Sequence, residues 1–201
     1  MLSIDIKIRT VIIRKMSNTS RQVKLYLLAV LVVAAALVMI FGISRYHRMH
    51  AYDEIITRHA SANALDPKLV RAVIWRESRF RYDCRGKRGE IGLMQVTENA
   101  GREWAEANKV ADFRKNDLFN PETNIRAGTW YLKRSMARWA NKSNPLPYAL
   151  AEYNAGRSNA VRWAASDGGD ANIFWTGITY PSTKKYVRDI MAYYRRHGAQ
   201  P

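Results

Sequence analysis

The sequence predicts a mainly α-helical domain preceded by one transmembrane helix. Residues 25–43 form a single uncharged, mostly apolar run. Between residues 53 and 197, apolar residues recur with a period near 3.6, which is typical of α-helices, and the strict alternation typical of half-buried strands does not recur. The expected segments are a basic cytoplasmic tail (1–24), a membrane anchor (25–43), a juxtamembrane linker (44–52), the helical domain (53–197) and a short C-terminal tail (198–201).

The run from Leu25 to Ile43 is long enough to cross a membrane. It contains 19 residues, and at about 1.5 Å of rise per residue it nearly matches the roughly 30 Å hydrocarbon core of a bilayer. The alternative is a cleavable signal peptide, which has a shorter apolar stretch and small residues at its cleavage site. Residues 44–49 are instead bulky and basic, so the pattern favours an uncleaved anchor.

The charges on either side of this run predict its orientation. Residues 1–24 contain six Lys/Arg residues, whereas residues 44–63 contain three. The more basic flank of a membrane-spanning helix stays in the cytoplasm. We therefore expect a cytoplasmic N-terminus and a C-terminal domain outside the cytoplasm.

The helical domain is basic in its own right. The whole chain has a formal net charge of +16, and residues 51–201 contribute 25 basic and 16 acidic residues, or +9. This balance suits an anionic polymer, an anionic lipid surface or nucleic acid as a partner. Cys84 is the one cysteine, so no intrachain disulfide forms. The four histidines have no metal-ligand spacing, and we expect neither a metal nor a cofactor.

The clearest helix start in the domain is at Asp66 and Pro67, because Asp is a favoured N-cap and Pro fits the first helical position. Apolar residues follow at i, i+3 and i+4, namely Val70, Val73 and Ile74. Glu77 takes the i+7 position, so it extends the buried stripe of this helix rather than its solvated face.

The other elements follow from similar signals. Residues 81–91 are charged and contain Gly86 and Gly89, which predicts a loop or a small β-hairpin. Thr97 and Asn120-Pro121 are further helix starts. The remaining helices are predicted over 53–64, 98–108 and 121–140, from Pro145 and Pro147 to Asn154-Ala155-Gly156, near 157–165 and over 183–196.

Glu77 suggests acid catalysis. Cleavage of a glycosidic bond requires a proton on the leaving oxygen, and burial raises the pKa of a Glu so that it can carry that proton near neutral pH. Arg76 and Arg79, at i−1 and i+2, point elsewhere on the helix. A Glu late in a helix is more often a surface residue, so this interpretation depends on the motifs that follow it.

Those motifs resemble the lytic transglycosylases that have a soluble-lytic-transglycosylase (SLT) domain, which share the goose-type lysozyme fold. The resemblance runs from about Ile55 to about Tyr194. The matching segments are Glu77-Ser78, Gly92-Leu93-Met94-Gln95, Asn120-Pro121-Glu122-Thr123-Asn124-Ile125-Arg126-Ala127-Gly128, Tyr153-Asn154-Ala155-Gly156 and Tyr186-Val187. Their order and spacing, rather than any one of them, carry the resemblance.

The resemblance implies a lysozyme-like helical domain that cleaves the β-1,4 bond between N-acetylmuramic acid and N-acetylglucosamine in peptidoglycan. Glu77 is then the single acid/base, and the product is a 1,6-anhydromuramyl end. The residues implied at the sugar cleft are Ser78, Met94, Gln95, Tyr153, Asn154 and Tyr186. Tyr153 and Tyr186 are expected to flank the Glu77 carboxyl, and core packing is the alternative role for Ser78 and Met94.

The implied setting is the bacterial inner membrane, with one span and the catalytic domain facing the periplasm or cell wall. The implied partners are peptidoglycan glycan strands and the membrane, with no nucleic acid. Three positions depart from the family pattern: Ile91, Glu152 and Ser182.

Three alternatives stay open from the sequence. A hydrolytic muramidase would use the same site with Glu90, Glu98 or Glu152 as a second carboxylate, since glycosidases commonly use two. A non-catalytic peptidoglycan-binding domain would use the same cleft as a receptor. A membrane-tethered nucleic-acid binder fits the charge, but the basic residues are scattered and no nucleic-acid module is evident.

Overall fold

A computed structural model describes the backbone of residues 2–165 and 167–197, and the side chains from residue 21 onward within those ranges. The helices are α1 (Leu2–His50), α2 (Asp53–Ala62), α3 (Pro67–Ser78), α4 (Glu98–Ala107), a 3₁₀ helix (Lys115–Phe119), α5 (Pro121–Arg138), α6 (Leu146–Ala155), α7 (Arg157–Ala164), α8 (Ala171–Gly177) and α9 (Pro181–His197). The mainly helical class is therefore confirmed. The contacts divide the chain into two units, Met1–His47 and Arg48–Pro201.

The first unit consists of helix α1. Its apolar side chains between Val23 and Ile43 are exposed. Among the described helices, it is the one that is long and apolar enough to cross a membrane, on the basis of its length and composition. The helix continues to His50, so most of the segment expected as a juxtamembrane linker is helical.

The second unit is built around helix α6, which packs against α5, α7, α8 and α9. Residues 147–152 of α6 are all buried. A helix that is apolar on most sides has to be covered on most sides, and this explains why α6 lies at the centre. Helix α3 packs against α2 and α9, which brings the C-terminal helix beside the one that carries Glu77.

The predicted helix starts match the structure. The side chain of Asp66 accepts a hydrogen bond from the backbone N–H of Lys68, and that of Asn120 accepts one from Thr123. Thr97 caps α4 in the same way through the N–H of Ala100. Such caps satisfy N–H groups that have no partner within the helix.

One helix was not predicted from the sequence. Helix α8 (Ala171–Gly177) was missed because seven residues are too few to show a helical period. Its start is fixed by Asp170, whose side chain accepts from the N–H of Asn172.

Of the two alternatives predicted for residues 81–91, the loop is confirmed. In the described chain this segment takes part in isolated antiparallel bridges, Arg85 with Ile91 and Ile91 with Val96, rather than in a hairpin.

Asn124 holds the segment 91–96 in place. It is completely buried in α5. Its Oδ1 accepts from the N–H of Met94 at 2.8 Å, and its Nδ2 donates to the carbonyl oxygens of Ile91 and Leu118, both at 2.8 Å. Gly92 has φ +78°, and a Cβ there would lie 2.6 Å from the Leu118 carbonyl oxygen. The amide of Asn124 thus bonds to a loop whose conformation at position 92 requires glycine.

We expect Asn124→Ala to destabilise the second unit by about 3 kcal/mol or more. The N–H of Met94 and the carbonyl oxygen of Leu118 lose their partner, and the carbonyl oxygen of Ile91 keeps only the N–H of Val96. The measurement is urea unfolding of the full chain in detergent, followed by circular dichroism. Asn116→Ala is the control, since Asn116 is exposed on the 3₁₀ helix. Equal unfolding free energies for the two variants would contradict the role of Asn124.

Candidate active site

A cavity of about 380 Å³ opens in the second unit where α3, the loop after it, α5 and the end of α6 meet. Its lining is Glu77, Gly86, Lys87, Arg88, Glu90, Gln95, Val96, Thr97, Ala100, Tyr131, Glu152, Tyr153, Asn154, Ala155 and Gly156. Most of the residues implied by the sequence motifs are therefore brought together, although they come from segments separated by up to 80 positions in the chain.

Glu77 lies in the last turn of α3. The chain leaves the helix directly afterwards, since Arg79 and Phe80 both have positive φ, at +55° and +62°. The Glu77 side chain is half-buried and lines the cavity. The Tyr186 hydroxyl donates a hydrogen bond to its Oε1 at 2.6 Å. Helix α9 therefore supplies the partner of an acid that α3 carries.

Burial raises the pKa of Glu77 to about 7. It does so because the charged form loses hydration that the protein only partly replaces. The hydrogen bond from Tyr186 and the charge of Arg76 favour the ionised form, and the nearby charge of Glu90 opposes it. Burial outweighs the two groups that favour ionisation, so this carboxyl can carry a proton near neutral pH.

Arg76 is the cation closest to this group in sequence, but it is engaged elsewhere. Its guanidinium lies over the ring of Tyr186, with 5.3 Å from the central carbon to the ring centroid. Its Nε is 3.3 Å from Oδ2 of Asp189, an ion pair without hydrogen-bond geometry. Arg76 thus packs behind Tyr186 and does not form an ion pair with Glu77.

Tyr153 does not hold the carboxyl in the way expected from the sequence. Its hydroxyl donates to the backbone carbonyl oxygen of Met94 at 3.0 Å. Burial raises the pKa of Tyr153 well above its ordinary value, and the charge of Glu77 adds to the effect. Its ring meets Tyr131 edge-on at 5.8 Å. Tyr153 is therefore a neutral wall of the cavity that joins α6 to the loop at Met94.

Gln95 and Asn154 present amide groups to the cavity. Gln95 has φ +49°, and its Nε2 donates to the carbonyl oxygens of Gly92 at 2.9 Å and Cys84 at 3.2 Å. The Oδ1 of Asn154 accepts from the hydroxyl of Thr183 at 2.9 Å. The Nδ2 donors of Asn154 are the atoms left for a ligand.

Ser78 and Met94 lie outside the cavity lining. Ser78 is 2% exposed, and its hydroxyl donates to the Ile74 carbonyl oxygen one turn earlier. Met94 is fully buried, and its sulfur packs against Gly128. Both side chains face the core, so neither is placed to contact a ligand in the cavity. Packing, the alternative role for each, is what the structure shows.

The three candidates for a second carboxylate lie in different environments. Glu152 is 1% exposed and is held by an ion pair with Arg138, by Trp139 Nε1 at 2.8 Å and by the Ser135 hydroxyl at 3.2 Å. Its oxygens are therefore occupied. Glu98 lies outside the cavity and pairs with Arg102 and Lys115, and the hydrogen bond from Arg102 is the main cause of its lowered pKa.

Glu90 is the candidate that lies in the cavity with a free carboxylate oxygen. Its Oε2 accepts from the backbone N–H of Arg88 at 2.8 Å, and its charge is close enough to raise the pKa of Glu77.

Besides Glu152, two positions depart from the family pattern. Ile91 is buried in the loop, and Ser182 is exposed and outside the cavity lining. Within the described residues, no cluster of His, Cys, Asp and Glu could hold a metal ion.

Sequence reasoning missed the parts of the site that act through other residues. Thr183 orients Asn154, Tyr131 packs on Tyr153, and Asn124 fixes the loop that carries Gln95. Asn124 lies within the motif from Asn120 to Gly128, and Thr183 lies three residues before the Tyr186-Val187 motif. Their roles follow from contacts between distant segments, which spacing along the chain does not show.

The chain belongs to the transglycosylase SLT domain family, whose model matches residues 54–174. It is 30% identical over 152 residues to the soluble lytic murein transglycosylase of Salmonella typhimurium, a match that covers 73% of this chain and 23% of that protein. It is 29% identical over 130 residues to the membrane-bound lytic murein transglycosylase C of Edwardsiella ictaluri, covering 62% of this chain and 36% of that one.

The fold agrees with this membership. The crystal structure of the 70-kDa soluble lytic transglycosylase from Escherichia coli matches with a TM-score of 0.66 at 27% identity, and the match covers 73% of this chain and 24% of that one. This confirms the predicted lysozyme-like SLT fold. The chain spans about a quarter to a third of the length of these relatives.

Proposed function

We propose that this protein is a membrane-anchored lytic transglycosylase that cleaves peptidoglycan, with Glu77 as its single acid and base. The observation that supports this most strongly is the buried Glu77 carboxyl, which is bonded to Tyr186 at the wall of an open cavity and has a pKa of about 7. The relatives named as lytic murein transglycosylases support peptidoglycan as the substrate class.

In the first step, protonated Glu77 gives its proton to the oxygen that links N-acetylmuramic acid to N-acetylglucosamine. The bond from C1 of the muramic acid to that oxygen breaks, and the oxygen leaves as a hydroxyl of N-acetylglucosamine. Positive charge develops at C1, and the neighbouring N-acetyl group of the substrate stabilises it. Tyr186 stabilises the new Glu77 carboxylate through its hydrogen bond, which grows stronger as the acceptor becomes charged.

In the second step, the same carboxylate takes the proton from the C6 hydroxyl of the muramic acid. The C6 oxygen then bonds to C1 and closes a 1,6-anhydro ring, and Glu77 is protonated again. No water is consumed. A pKa near the working pH suits a group that acts first as an acid and then as a base.

The neutral groups around Glu77 suit this scheme. Asn154 lines the cavity, and its Oδ1 is held by Thr183. Its Nδ2 donors are therefore available to a carbonyl oxygen such as that of an N-acetyl group. Gln95 and Tyr153 give their own donors to backbone carbonyl oxygens. We infer that these two residues shape the cleft that holds the sugar.

Hydrolysis is the second candidate, and Glu90 is the observation that favours it. This carboxylate lies in the cavity and affects the pKa of Glu77, so it is placed to act on a water molecule. The two outcomes differ in the product, because hydrolysis leaves a reducing muramic acid that is one water heavier than the anhydro form.

The test is incubation of the full chain, in a non-ionic detergent, with purified peptidoglycan, followed by mass spectrometry of the products. We expect anhydromuramyl ends from the wild type. Glu77→Gln should lower the rate by a factor on the order of 10²–10⁴, because it keeps the shape of the side chain and removes the proton. Glu106→Gln, an exposed change with the same chemistry, is the control.

Near-wild-type turnover by a folded Glu77→Gln protein would overturn the role of Glu77. If most of the new ends are reducing muramic acid, the protein is a hydrolase. In that case Glu90→Gln would be expected to remove the activity, while Glu98→Gln would not.

We also propose that helix α1 anchors the protein in the inner membrane, with the catalytic domain on the outer side. The support is the uncharged run 25–43, its exposed apolar side chains and the more basic flank before it. The membrane-bound relative named above is consistent with such an arrangement.

Protease added to spheroplasts that carry the protein should therefore digest the domain after residue 44, while the first residues remain with the membrane. As the control, a cytoplasmic protein in the same spheroplasts should stay undigested, which shows that the spheroplasts are intact. Protection of the domain, or release of a soluble form cut near residue 44, would contradict the proposed topology.

A further inference from the structure

A sharp turn carries two cations to the mouth of the cavity. The N–H of Gly89 donates to the carbonyl oxygen of Gly86 at 3.3 Å, so Lys87 and Arg88 are the central residues of a β-turn. Both residues are exposed, and both line the cavity that contains Glu77. No other Lys or Arg belongs to the lining of this cavity in the described chain.

The turn is fixed to the wall of the site. Glu90 accepts from the N–H of Arg88 at 2.8 Å through its side chain and from the N–H of Gly86 at 2.8 Å through its backbone. A Cβ on Gly86 would lie 2.8 Å from Oε1 of Gln95 and would also meet the Glu90 carboxylate. The turn therefore packs directly on the cavity wall, which keeps the two cations close to the reacting sugar.

The two charges are not neutralised by the protein. Among the ion pairs between described residues, none involves Lys87 or Arg88. Two carboxylates besides Glu77 line the cavity. Glu152 pairs with Arg138, and one oxygen of Glu90 accepts a hydrogen bond from the backbone of the turn itself. Two unpaired cations on a rigid turn beside the cavity favour an anionic group of the ligand.

We propose that Lys87 and Arg88 form a subsite for the carboxylates of the peptide stems on peptidoglycan. This inference rests on the proposed function. While the stem is attached, the lactyl carboxyl of the muramic acid is held in an amide and the N-acetylated sugars are neutral, whereas the stem peptides carry free carboxylates. The stem is attached to the same muramic acid whose bond Glu77 would break, so it has to leave the cavity through its mouth, where the turn lies. The turn thus selects strands that carry their stems over stripped strands.

The test compares two substrates with one enzyme preparation, the full chain in a non-ionic detergent. One substrate is glycan strands with stem peptides. The other is the same strands treated with an N-acetylmuramoyl-L-alanine amidase, which removes the stem carboxylates and leaves one lactyl carboxylate on each muramic acid. The readout is the ratio of the initial cleavage rates, stem-bearing over stripped, at substrate concentrations below saturation. The double variant is Lys87→Gln with Arg88→Gln.

We expect the double variant to lower this ratio roughly 3- to 10-fold, which is the range for the loss of two exposed charge pairs. The wild-type ratio should also fall when salt is raised from about 50 mM to about 500 mM, because exposed charges are screened. The matched control is Lys109→Gln with Lys133→Gln, which removes two exposed charges outside the cavity and should leave the ratio unchanged.

An unchanged ratio in the Lys87→Gln, Arg88→Gln protein would overturn the subsite, whether both rates fall together or neither moves. Circular dichroism melts of the two double variants separate a folding defect from a binding defect. Failure of the wild-type chain to cleave either substrate would instead overturn the proposed function on which the subsite rests.

Discussion

The burial that lowers the hydration of the Glu77 carboxyl is the constraint on which the rest of the site depends. A carboxyl group at the end of a helix would ordinarily be hydrated and ionised at neutral pH. Here α9 covers it, and the one described hydrogen bond to its carboxyl comes from Tyr186. Since α9 packs along both α3 and α6, the burial of this single group requires these three helices to be packed together.

The charges around the site leave the pKa of Glu77 raised. Arg76, next to Glu77 in sequence, is directed to Asp189 and to the face of Tyr186. Glu152, one residue before Tyr153, is neutralised by Arg138 and bonded to Trp139 and Ser135. Breaking such a buried pair is costly, so Glu152 fixes the end of α6 rather than adding a second free carboxylate to the cavity.

The sequence predicted those features that depend on interactions between residues close together in the chain. Asp66, Thr97 and Asn120 start helices as expected, because a cap needs only the next three residues, and the helical period placed Glu77 on the buried face of α3. It was less informative where distant segments meet. The Tyr153 hydroxyl bonds Met94, 59 residues away, and Asn124 joins the loop at Ile91 to Leu118. Neither contact follows from periodicity or from residue type.

The most direct test of the account is the pKa of Glu77 itself, measured by ¹³C NMR titration of glutamate side-chain carboxyls, with Glu77→Gln used to assign the signal. The account predicts a midpoint near 7, raised from the ordinary value of 4.5, so that the group is protonated at pH 6 and loses its proton as the pH rises through about 7. Tyr186→Phe should move the midpoint upward, since the lost hydrogen bond favoured the charged form. A midpoint near 4.5 would contradict the account, because Glu77 would then carry no proton to give at neutral pH.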